Sequence, residues 1–114
     1  MSNFRYRLRE ATKILATHPG ELKYRIASAC TEQLVLANLT PDNEIPIYFR
    51  DKLDSFLESI STKTWAENLE GDRIRATLHG KHSKTLSKIA NEIWVLHNEF
   101  GGYLHSGVIP EHHS

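Results

Sequence analysis

Arg73, Arg75, Lys81, Lys84 and Lys88 place five positive charges in residues 73–91, a stretch that contains no acid. Side chains of this type bind anions: a phosphate, a nucleic-acid backbone or an acidic protein surface. Ser83 reads as a helix N-cap, so Lys81, His82 and Lys84 stand beside a predicted helix N-terminus. The free amides and the positive dipole end there favour negative charge. Arg5 and Arg9, in line with Lys13 at helical spacing and with Arg7 beside them, extend the candidate anion- or partner-binding surface. The competing reading is a solvated face that neighbours the chain's own Asp51, Asp54 and Glu58. Isolated surface pairs of that kind stabilise little.

Seven histidines raise the question of a metal. His79 and His82 are three apart, which suits one helical face, but Gly80 between them weakens a helix there. No Glu-x-x-His or His-x-x-x-His pair occurs. One cysteine cannot supply the thiolate pair of a structural zinc site. His112 and His113 stand near the C-terminal end. The expectation is no metal and no cofactor.

His97 falls near the middle of an apolar helical arc, and Gln33 near the middle of another. Both are expected to be buried polar groups, and a buried polar group needs a partner. They could satisfy each other or bond to backbone. The functional alternative makes His97 a general base or a pH-sensitive latch. No nucleophile elbow, phosphate-binding loop or dinucleotide fingerprint is present. Cys30 reads as a small core residue. No catalytic residue is assigned.

Charge and composition bound the classes further. Lysine plus arginine and aspartate plus glutamate both total 14, so the net charge is zero. A general nucleic-acid binder usually carries a basic excess. The charge is nonetheless segregated: residues 42–72 hold three basic and eight acidic groups, whereas the flanking segments are net basic. With 39% hydrophobic and 25% charged residues, the 114-residue chain suits one globular domain. No apolar run approaches the roughly 18 residues of a membrane helix. The N-terminal residues lack the apolar core of a signal peptide. A single cysteine suits a reducing compartment, so a cytoplasmic location is expected.

The elements that must position these residues are helices. Phe4, Leu8, Ala11 and Leu15 share one face of a helix predicted over 3–17. A second helix is predicted over 20–38, with Leu22, Ile26, Ala29, Gln33 and Leu36 on one face. Its apolar Leu34-Val35-Leu36-Ala37 end places it centrally. Thr40-Pro41 and then Pro46 read as helix starts. Ile45, Phe49, Leu53, Phe56, Leu57 and Ile60 form the core face of a third helix, with Asp51, Asp54 and Glu58 opposite. Thr64-Trp65-Ala66-Glu67 fits a capping box for a short helix ending near Gly71. Residues 73–78 alternate like a strand but also fit a helical turn, and a lone strand would have no partner. A short helix or turn starting at Asp72 is therefore expected. The last helix is predicted from Ser83 to a stop at Gly101-Gly102, with an apolar arc of roughly 160°. Residues beyond it are expected to be irregular, pinned by Tyr103, Leu104, Val108 and Ile109.

The pattern Leu8-x-x-Ala11-x-x-x-Leu15-Ala16 with Gly20-x-Leu22-Lys23-x-Arg25-Ile26-x-x-Ala29, continued by Arg75-Ala76-Thr77-Leu78 and Ile89-Ala90, resembles a family of short bacterial helical proteins. That resemblance covers most of residues 8–100. It implies a bacterial origin, and the family has no assigned activity.

The sequence thus predicts an all-α, compact bundle of four main helices plus a short extra helix or turn. Residues 1–102 form one domain and 103–114 a tail. The favoured function is non-enzymatic association with a protein partner or with itself. Trp94, Trp65, Tyr6, Tyr24 and Tyr48 supply aromatic surface of the kind enriched at interfaces. The alternative is a nucleic-acid-associated protein using Arg73–Lys88 with Arg5 and Arg9. A third reading is a small enzyme using His97 or His79. No membrane association is expected.

Overall fold

Helical periodicity governs the whole architecture. In the computed structural model of the protein, residues 3–39, 45–61 and 70–110 are described. Among them there is no strand. The fold is an all-α compact bundle. In chain order it comprises α1 (Asn3–Thr17), α2 (Leu22–Ala29), a π-helical turn (Cys30–Leu34), α3 (Val35–Leu39), α4 (Ile47–Ser59), α5 (Glu70–His79) and α6 (Ser83–Ser106). The segments from α2 to α3 run on as one helix, which gives the four main helices, and α5 is the short additional one. No described helix is long and apolar enough to cross a membrane. The expected caps at Thr40-Pro41 and at Thr64–Glu67, together with Trp65 and the His112-His113 pair, lie outside the described residues.

The face predicted for α1 is buried, with Phe4, Leu8 and Ala11 fully enclosed, while Arg5, Arg9 and Lys13 are exposed. The helix ends where Pro19 and Gly20 turn the chain, and Gly20 takes a φ of 103°, which side-chain-bearing residues avoid. Arg25 Nη1 then donates to the Leu15 carbonyl at 2.7 Å. That bond satisfies one of the carbonyls left open at the end of α1.

The central helix departs from expectation at the π turn. Thr31 Oγ1 donates to the Ala27 carbonyl at 2.8 Å, and such back-bonding competes with the regular backbone ladder. The Val35 amide then reaches back five residues to the Cys30 carbonyl. One extra residue in the turn rotates all that follows by about 100°. The buried positions move from the predicted Gln33 and Leu36 to Leu34 and Ala37, and Leu36 is 43% exposed. The central position is retained, because the π turn touches α1, α4 and α5.

In α4 every predicted core residue is buried, and Asp51, Asp54 and Glu58 face outwards. Pro46 caps this helix with an extended ψ of 143° and does not occupy its first turn. The residues from Glu70 to His79 are helical, so the chain neither ends a helix at Gly71 nor starts one at Asp72. Ile74, Thr77 and Leu78 point inwards and Arg73 and Arg75 outwards, which resolves the strand-like alternation as a helix.

The two ends of α6 also differ from expectation. His82, with ψ 159°, occupies the N-cap, and Ser83 is the first helical residue. At the other end the helix runs through Gly101 and Gly102 and stops at Gly107, whose φ of 75° closes a left-handed cap with its amide on the Tyr103 carbonyl. The predicted boundary at residue 102 is therefore not a helix end. Tyr103 packs against the core, but Leu104, Val108 and Ile109 are exposed and pin nothing.

A Cβ built on Gly101 or Gly102 meets nothing within 4 Å. Gly101→Ala and Gly102→Ala should each stabilise the protein by about 0.5–1 kcal/mol. Gly107→Ala should destabilise it by about 1 kcal/mol. Urea denaturation of the three variants reads this directly, and a stabilising Gly107→Ala would place the stop elsewhere.

Candidate functional site

A groove of about 640 Å³ lies between α4 and α6. Successive turns of α4 supply Tyr48, Asp51, Lys52, Ser55, Phe56 and Ser59. Successive turns of α6 supply Asn91, Glu92, Val95, Leu96 and Glu99, with Ile93 beneath. The i, i+3, i+4, i+7 spacing that builds each core face also lines up the residues bordering it. Phe56, Ile93 and Leu96 turn their buried side chains to the core and floor the groove, while Val95 is 40% exposed above them. Trp94, the residue before Val95, is 39% exposed and does not line the groove.

One end of the groove is closed by a polar clamp. The Tyr48 hydroxyl donates to Glu99 Oε1 at 3.2 Å. Lys52 Nζ lies 3.6 Å from the same oxygen and 5.2 Å from the centre of the Tyr48 ring. The Tyr48 hydroxyl first, and the Glu99 charge after it, hold the Lys52 ammonium above its ordinary 10.5 against the opposing effect of burial.

The predicted site residues are spread over several elements. Arg5 and Arg9 are exposed on α1, and the Arg9 guanidinium lies 5.7 Å from the Tyr6 ring centre. Arg73 and Arg75 lie on α5, Lys81 and His82 in the turn after it, and Lys84 and Lys88 in the first turns of α6. All are exposed except the half-buried Lys81. Arg73 borders a second, smaller groove of about 220 Å³ together with Asp54 and Glu58. There the basic segment meets the acidic face of α4.

His97 and Gln33 are not the buried pair expected. His97 is half-buried, its Nδ1 lies 3.3 Å from Asn98 Oδ1, and its ring stands edge-on to Trp94. It borders neither groove and has no carboxylate partner among the described residues. Gln33, displaced by the π turn, instead accepts a 3.0 Å hydrogen bond from Arg7 Nη1. The Nε of Arg7 is buried without a described partner, as is that of Arg25. Cys30 is fully enclosed, and burial pushes its thiol well above the ordinary thiol range. A thiol held protonated is a poor nucleophile. Among the described residues no three His, Cys, Asp or Glu side chains gather as a metal site would require.

What the sequence reading missed is the groove itself. Asp51 was placed on a solvated face and Val95 was given no role. The available signal was the run of small polar residues Ser55 and Ser59 at i+4 spacing beside the core positions of α4. Comparison of the chain with protein-family models, with curated proteins and with solved structures finds no match.

Glu99→Gln keeps an acceptor for Tyr48 but removes the charge opposite Lys52. A group whose folded pKa is raised contributes its stability below the unfolded value and loses it as pH rises through the folded one. Solvent screening keeps that contribution below about 1 kcal/mol. The variant should thus be slightly less stable than wild type at neutral pH, with the gap closing above pH 10.5. Urea denaturation across that range measures it, and a gap that widens at high pH would contradict the clamp.

Proposed function

We propose that the protein is a non-enzymatic helical module that works by associating with another protein chain, and that the groove between α4 and α6 is its docking surface. The observation carrying this reading is the groove's composition. Its floor is apolar, Val95 exposes apolar area on one wall, and its remaining border is polar. An apolar centre with a polar rim is the anatomy of a protein interface. The setting is a bacterial cytoplasm, a reading supported by the unpaired, buried Cys30 and by the resemblance of the core pattern.

The enzymatic reading draws no support from His97, which borders neither groove and has no carboxylate partner among the described residues. Against the nucleic-acid reading stands Arg73, which shares its groove with Asp54 and Glu58. Like charges on a surface repel a polyanion as strongly as basic ones attract it.

Affinity capture from a bacterial extract separates the readings when three baits are compared. Val95→Asp should lose captured protein by tenfold or more, because a charge enters an apolar contact. The pair Arg73→Glu with Lys84→Glu should retain it. Nuclease-sensitive capture that is lost in the charge-reversed bait and kept in Val95→Asp would overturn the proposal.

A further inference from the structure

We infer that the α4/α6 groove takes a cationic amphipathic helix of a partner protein, an inference that rests on the association reading above. Shape is the first argument. Two helices form the walls, and their apolar positions recur at helical spacing along the floor. The border of α4 runs from Tyr48 to Ser59. At 1.5 Å per residue that is about 16 Å, or three helical turns. A helix laid there presents anchors at i, i+3 or i+4, and i+7.

Charge is the second argument. The groove is bordered by three carboxylates, Asp51, Glu92 and Glu99, and by one ammonium, Lys52. Glu99 is engaged by Tyr48 and Lys52 within the clamp. Asp51 on the α4 wall and Glu92 on the α6 wall are exposed, and neither has an ion-pair partner among the described residues. Negative charge thus stands on both rims of an apolar floor. The complementary ligand carries lysine or arginine on both flanks of an apolar stripe. Ser55, Ser59 and Asn91 are short enough to let a backbone approach between those charges.

A second copy of the chain fits less well. Its exposed helical lysines and arginines outside the groove lie on α1, α5 and α6. On α6, Lys84 and Lys88 belong to the helix that forms the groove's own wall. On α5, Arg73 and Arg75 are accompanied by no exposed large apolar side chain. On α1, the Arg5, Arg9 and Lys13 ridge offers one large apolar side chain, the 41% exposed Tyr6. One aromatic ring cannot fill a three-turn apolar floor. The occupant therefore comes from another protein.

Synthetic helical peptides with one apolar stripe and either lysine or glutamate flanks are the probes, titrated into the whole protein by calorimetry. The lysine-flanked peptide should bind at least tenfold more tightly than the glutamate-flanked one, and less so at high salt. The double variant Asp51→Asn with Glu92→Gln, checked for folding by circular dichroism, should erase that preference. Equal binding of both peptides, abolished by Val95→Asp, would overturn the charge inference and leave the docking reading standing. No binding of either peptide would overturn both. Sedimentation that shows a dimer without peptide, lost on Val95→Asp, would replace the partner with a second copy.

Discussion

Phe49 holds this bundle to its geometry. Its ring stands edge-on to Phe100 with centroids 5.0 Å apart, and Phe100 stands edge-on to Phe4 at 4.9 Å. Tyr103 closes the group at 5.5 Å from Phe49 and 6.0 Å from Phe100. Three helices far apart in sequence, α1, α4 and α6, therefore meet at one aromatic cluster. Each edge-to-face pair adds about 0.5–1.5 kcal/mol beyond simple burial. More important is what the cluster places. With Phe49 against Phe100, the preceding Tyr48 must face Glu99, and the clamp and the groove beyond it follow from that register.

Much of the fold was legible because it depends on one period. The buried face of α1 and that of α4 were readable residue by residue, since a regular helix carries its pattern unbroken from end to end. The central helix was readable only as far as Cys30. A π turn is set by local hydrogen bonding, here the Thr31 hydroxyl on the Ala27 carbonyl, and leaves no periodic trace. It shifted Leu36 outwards and brought Gln33 to Arg7, away from His97. The glycines of α6 make a related point. Gly101 and Gly102 lower helix propensity but have ordinary helical backbone, whereas Gly107 has the left-handed φ that ends the helix. Composition alone does not distinguish these roles, because the surrounding packing decides which glycine turns.

The candidate site was less legible than the core for a physical reason. It is made by stretches of two helices, 48–59 and 91–99, more than thirty residues apart, and only their packing brings Asp51 and Glu92 to one groove. The acid-free stretch from 73 to 91 was visible at once as composition. Its surroundings were not, and they include the acidic face of α4 at Arg73. Charge segregated along the chain is in part rejoined in space at Arg73, and the groove is bordered by three carboxylates and one ammonium.

Amide hydrogen exchange with and without a lysine-flanked amphipathic helix tests the central claim most directly. Occupation of the groove predicts added protection in residues 47–59 and 91–99, with residues 73–88 unchanged. Protection centred on Arg73–Lys88, with α4 unaffected, would contradict it.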